Sequence, residues 1–149
     1  MRVLYNARTR KDAFEQETGA SRTDLATLLG QSDVVSLHVA ATPETRGMMN
    51  RERFARMKRG AILINTARGE IVREPALLEA LEQGTLAGAG LDVFPEEPNV
   101  HADLLAHPRV VALPHIGSAT WETRRAMADL AVRNVRAVLA GEPPLTPVA

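Results

Sequence analysis

The chain has 149 residues, 18 basic against 18 acidic, 45% apolar and 24% charged, with no cysteine. Those values describe a globular chain of one-domain size, able to bury roughly 70% of its unfolded surface, and they exclude disulfides, thiolate catalysis and cysteine-ligated zinc. Zero net charge gives no global field for nucleic acid or an anionic membrane, MRVLYNARTR has no secretory apolar core, and no apolar run nears the roughly 18 residues of a membrane span, so we expect a cytoplasmic protein with neither partner.

The first predicted element is a strand at residues 2–7, RVLYNA. A helix follows at Thr23–Leu29, where Leu25, Leu28 and Leu29 share one face and Gly30 is a stop. Next comes a strand at 33–40, DVVSLHVA, and a helix capped by Asn50 that packs Phe54 and Met57 and ends at Gly60. The run AILINT (61–66) predicts a third strand. In REPALLEALEQG, Pro75 suits the first helical turn, Leu77, Leu78 and Leu81 form the buried stripe, and Gly84 supplies the left-handed stop. Strands at 87–94 (AGAGLDVF) and 109–114 (RVVALP) precede a last helix that starts after Ser118 or Thr120. That helix is expected to bury Met127, Leu130, Ala131, Val135, Val138 and Leu139 before Gly141 and Pro143 end it.

Several of the strands are near-continuous apolar runs, which predicts a parallel sheet covered on both faces. Strands alternating with helices predict right-handed βαβ units and a doubly wound α/β sheet. Ligands of such sheets bind beyond the carboxyl ends of the strands. Those ends carry Asn6, Ala7 and Arg8, then His38, then Asn65 to Arg68, then Asp92, and finally His115. Pro114 fixes the backbone before His115 and Gly117 permits close approach after it. A carboxylate beside the imidazole would hold its tautomer and favour its charged form, and DVFPEEP offers Glu96 or Glu97 equally. Arg68 could grip a carboxylate through two parallel hydrogen bonds. An arginine for a carboxylate, a histidine to move a proton and a glutamate to tune it suit reduction of a 2-keto acid, with a nicotinamide as hydride source. His38, His101, His107 and His115 show no metal-ligand spacing, so no metal site is expected.

The segments SLHVAATPETRGMMN, MKRGAILINTARGEIVREPALLEAL, LAGAGLDVFPEEP and LPHIGSAT together resemble the nucleotide-binding lobe of D-isomer-specific 2-hydroxyacid dehydrogenases, over essentially the whole chain. The resemblance implies a Rossmann-type fold, with Arg68 on the substrate carboxylate, Glu97 as the acid partner and His115 as proton donor to the keto oxygen. It also implies that Thr66 and Ala67 line the nicotinamide side, that Asp92 holds the carboxamide, and that His38 and Pro43 lie along the adenosine portion, with Gly117 beside the cofactor. A homodimer is implied for the full-length family. The turn YNARTRK carries three cations and no acid, a pattern that favours NADP over NAD through Ala7, Arg8 and Thr9 and is similar to the NADPH-using glyoxylate and hydroxypyruvate reductases. An NAD-linked phosphoglycerate-type dehydrogenase is the alternative enzyme. A non-catalytic nucleotide-binding or interaction module, akin to the family's corepressor members, is the alternative class.

The sequence departs from the family in lacking GxGxxG, and it begins at what resembles the second strand of the order 3-2-1-4-5-6. The expectation is a partial dinucleotide-binding domain over 1–149, split where the central strand would lie, with RVLYNA and DVVSLHVA apart from the other three strands. Residues 118–149 form a helix and tail expected to face a substrate-binding lobe and to expose some apolar surface.

Overall fold

The computed structural model describes residues 1–148. The expected tail therefore ends, at Ala149, outside the described residues. The chain divides into two compact units, Met1–Pro114 and one beginning at His115.

In the first unit, β1 (Leu4–Tyr5) is followed by α1 (Asp12–Thr18), β2 (Ser21–Arg22), α2 (Leu25–Gln31) and β3 (Val34–Leu37). Then come α3 (Arg51–Ala55), β4 (Ala61–Asn65), α4 (Glu74–Glu82), β5 (Leu86–Leu91), α5 (Ala102–Ala106) and β6 (Val110–Ala112). The strands form two sheets, a parallel pair β1-β2 and a parallel four-stranded sheet in the order β3-β4-β5-β6. The α/β class with parallel strands is thus as the sequence predicts, and so is a division of the sheet.

The division falls elsewhere than expected. Residues 33–40 are not apart from the later strands, because β3 pairs with β4 from Val34 opposite Ile62 to Leu37 opposite Asn65. The partner of β1 is instead Ser21–Arg22, a strand of two exposed residues with no apolar pattern to announce it. All five predicted strands are present but shorter at one or both ends, as with 2–7, reduced to Leu4–Tyr5, and 109–114, reduced to Val110–Ala112.

The expectation of a sheet covered on both faces also fails. Burial alternates along β3 and β4, so that Val35, Leu37, Ala61 and Leu63 are buried while Val34 and Ile62 are exposed. Continuous apolar runs report the composition of both faces, but only one face here meets helices. On the covered side, Leu29 of α2, Phe54 of α3 and Leu77 and Leu81 of α4 join the strand residues and Met49, Ile71 and Leu86 in one core.

Local chemistry explains most helix ends. Asp24 and Asn50 accept from the backbone N–H groups of Thr27 and Arg53, capping α2 and α3. The helix α2 runs through Gly30 to Gln31, so Gly30 is not its stop, and α3 ends at Ala55, before the expected Gly60. Gly84 lies past α4 at φ 67°, as its glycine predicts. The short helices α1 and α5 bury little and leave weak periodic traces in the sequence.

In the second unit Thr120 caps α6 (Trp121–Leu139) by accepting from the Thr123 backbone N–H, and the tail is tied to the helix through Asn134 and Thr146. No residue of α6 is buried. The predicted stripe of Met127, Leu130, Val135, Val138 and Leu139 is exposed, a correction whose cause is general: three-four spacing marks a face as apolar without saying what covers it.

Candidate active site

Because β3 to β6 are parallel, the residues following each strand emerge at one rim of the sheet. After β3 stands His38, whose Nε2 lies 2.8 Å from Ser36 Oγ. After β4 the chain turns through Thr66, Ala67 and Arg68. These residues and the segment His38 to Ala41 line a cleft of about 510 Å³. Four of the expected cofactor residues, His38, Thr66, Ala67 and Arg68, therefore share one surface. Pro43 lies in the next turn, where the Thr42 hydroxyl donates to Glu44 and holds that carboxyl below its usual range.

The Arg68 turn is built by Asn65, a residue the sequence reading placed at the rim but gave no role. Asn65 is 1% exposed. Its Nδ2 donates to the Arg68 carbonyl at 2.9 Å and its Oδ1 accepts from the Ala67 N–H at 3.1 Å. The Arg68 side chain is exposed and folds back, donating from Nη1 to the Ala67 carbonyl at 2.6 Å. A buried asparagine persists at a strand's last position only when its bonds are satisfied, and those of this brace satisfy it.

After β5, Asp92 is buried and its backbone N–H donates to the Asn65 carbonyl. Glu97 is exposed at the rim and its Oε1 accepts from the Phe94 N–H at 2.8 Å, which folds the DVFPEEP turn on itself. The two turns touch. A β-carbon placed on Gly69 would overlap the Phe94 carbonyl group and the Pro95 nitrogen, so the chain just after Arg68 lies directly on the peptide from which the Glu97 turn hangs. Of the predicted catalytic residues, Arg68 and Glu97 thus sit on turns in contact. His115 opens the second unit, exposed and at φ 53°, a left-handed conformation uncommon for a residue with a side chain. Gly117 is exposed in the turn that follows.

A second cleft of about 640 Å³ lies past β1 and β2, lined by Asn6, Arg10, Glu15, Ser21, Arg22, Thr23 and Asp24. Beside it, the expected residues Ala7, Arg8 and Thr9 form a turn that Arg22, missed in the sequence reading, holds by donating to the Ala7 and Arg8 carbonyls. Of the cations in YNARTRK, Arg10 is occupied by Glu15 and Asp12, and its hydrogen bond to Glu15 raises its pKa while lowering that of Glu15. Asp24 is committed to Thr27, whose hydroxyl holds its carboxyl below the usual range. The first cleft is thus lined by His38 and Arg68 together with small residues, and the second lies beside an arginine-held turn. Among the described residues no group of three histidine or acidic side chains is placed to hold a metal ion, and no helix is long and apolar enough to cross a membrane.

Parallel strands with their polar residues gathered beyond the carboxyl ends define a Rossmann-type dinucleotide-binding domain. The family profile described as the NAD-binding domain of D-isomer specific 2-hydroxyacid dehydrogenases matches residues 1–117, and the chain belongs to that family. A glyoxylate reductase of Thermococcus onnurineus is 52% identical over 146 residues, covering 98% of this chain and 44% of that protein. A glyoxylate/hydroxypyruvate reductase B of Serratia proteamaculans is 53% identical over 142 residues, 95% of this chain and 44% of that protein. Among solved structures, an NADPH-dependent glyoxylate/hydroxypyruvate reductase of Sinorhizobium meliloti, in complex with NADP and malonate, superposes with a TM-score of 0.91 at 39% identity, covering all of this chain and 46% of that one. The chain thus spans less than half the length of these relatives.

Proposed function

We propose that this chain is the nucleotide-binding part of an NADPH-preferring reductase that converts a 2-keto acid to the 2-hydroxy acid, hydroxypyruvate to the D-isomer or glyoxylate to the achiral glycolate. The observation that carries the reading is the contact between the Arg68 and Glu97 turns at the sheet rim, where Arg68 also lines a cleft. Close relatives named as glyoxylate and hydroxypyruvate reductases support the substrate class.

Arg68 holds the substrate carboxylate through two parallel charge-assisted hydrogen bonds and so fixes the neighbouring carbonyl. His115 donates a hydrogen bond to the keto oxygen and gives up its proton as charge develops there. Glu97 takes the role of acid partner to the imidazole that the family likeness implies. The bound nicotinamide supplies the hydride. Thr66 and Ala67 would border its ring, Asp92 would hold its carboxamide, and Gly117 would leave room beside it. His38 and Pro43 would lie along the adenosine portion, and Ala7, Arg8 and Thr9 would meet its ribose and 2′-phosphate. A homodimer, implied by the family likeness, and a cytoplasmic setting, expected from the sequence pattern, belong to the same proposal. The exposed stripe of α6 is assigned to contact with the substrate-binding lobe.

The preference for NADPH rests on Arg8 and on a turn with no acid. Glu15 and Asp24 beside the second cleft favour the alternative, an NAD-linked phosphoglycerate-type enzyme, but both carboxylates are already committed to partners. Comparing the two nucleotides in the full-length protein decides between them. Glyoxylate or hydroxypyruvate reduction is expected with NADPH favoured over NADH, and Arg8→Ala is expected to narrow that preference about tenfold, the worth of one charge-assisted hydrogen bond. No reduction with either nucleotide would refute the proposal, and an NADH preference unaltered by Arg8→Ala would refute its cofactor assignment.

A further inference from the structure

Arg68 and Glu97 have separate tasks and sit on separate loops, yet both must be placed to within a fraction of an ångström of one small substrate. Side-chain contact does not set that spacing here. Three sets of contacts to the backbone do. The Asn65 side chain closes the Arg68 turn from both sides, bonding the Ala67 N–H and the Arg68 carbonyl. The Asn65 carbonyl accepts from the Asp92 N–H, tying the base of this turn to the start of the Glu97 segment. At the top, Gly69 lies against the Phe94–Pro95 peptide with no room for a β-carbon, and the Phe94 N–H holds the Glu97 carboxylate. The φ of Gly69 is not among the positive values, so backbone conformation does not demand glycine there. Close approach alone does.

We propose that Asn65 and Gly69 are positioning residues that set the distance between Arg68 and Glu97, a role that rests on the reductase reading above. Neither touches the substrate. Asn65 fixes where the arginine turn points, and Gly69 fixes how near the glutamate turn can come. The three atoms nearest the would-be β-carbon all belong to the backbone, so no rotamer of Phe94 can relieve the overlap.

The test compares Gly69→Ala and Asn65→Ala in the full-length protein with the wild type and with Glu97→Gln. An alanine at 69 displaces the Phe94–Pro95 peptide by about an ångström, a misplacement that can cost roughly 100-fold in rate. Gly69→Ala is therefore expected to lower kcat/KM for the keto acid by about that factor and to move its pH profile toward that of Glu97→Gln, with the KM for the dinucleotide changed less than about threefold. Adding Phe94→Ala is expected to rescue nothing. Asn65→Ala is expected to raise the KM for the keto acid more than it lowers kcat, because the arginine turn loosens. A merely structural role would reduce the active fraction, scaling kcat alone and leaving KM and the pH profile in place, and that result in either folded variant would overturn the proposal. Should Gly69→Ala fail to fold, a wild-type KM in Asn65→Ala overturns it. A wild type that reduces no keto acid removes the reductase reading and this one together, whereas an active wild type with unaffected variants removes this one alone.

Discussion

Arg68→Met is expected to lower kcat/KM for the keto acid roughly 100-fold, mostly through KM, because two charge-assisted hydrogen bonds to a carboxylate are lost at a cost of about 3 kcal/mol. The Arg68 side chain is exposed and donates to its own turn, so its removal leaves no buried charge and no cavity. Thermal stability should therefore stay within about 0.5 kcal/mol of wild type, as for ordinary surface substitutions. Arg68→Lys keeps the charge and loses the fork, and an intermediate KM is expected. Steady-state kinetics at saturating dinucleotide checks all three. A KM for the keto acid within about threefold of wild type in Arg68→Met would remove the arginine from substrate binding.

His115→Asn is expected to act on the other parameter. General acid catalysis contributes about 10²- to 10⁴-fold, so kcat should fall by roughly 1,000 while the KM for the keto acid changes little. Asparagine suits the test because it tolerates the left-handed backbone found at φ 53° and can still donate a hydrogen bond, but it has no proton to give up. The pH dependence of kcat should change in the variant, because the proton donor is gone. Residual activity with an unaltered pH profile would mean that another group supplies the proton.

The core elements of the fold were legible because their signals are local. AILIN, with β-branched and leucine residues between two turn formers, and REPALLEALEQG, with its proline, leucine stripe and glycine, could be little else than a strand and a helix. The pair β1-β2 was not legible, since Ser21–Arg22 owes its extended form to its partner and not to its own side chains. The α6 stripe was legible as apolar, yet its exposure depends on what lies opposite, which periodicity does not encode.

Of the candidate site, the identities of Arg68, Glu97 and His115 came from chain order and family likeness. The brace around Arg68 did not. Asn65 reads as one more polar residue at a strand end and Gly69 carries no reading of its own, and only the folded chain reveals the satisfied amide and the missing space above the glycine. Arg22 is a similar case. Its distance of 14 residues from Arg8 hides a contact that shapes the turn beside the second cleft. Long-range hydrogen bonds and steric exclusion are properties of the folded arrangement and leave no pattern in a single sequence.

The most direct test is a crystal structure of the full-length protein with NADPH and oxamate, an unreactive mimic of a 2-keto acid. We expect the Arg68 guanidinium to hold the oxamate carboxylate through two hydrogen bonds of about 2.8 Å, with the His115 imidazole on the carbonyl oxygen and Glu97 on the imidazole's far side. An inhibitor bound away from Arg68, or an imidazole with no path to the carbonyl oxygen, would contradict the account.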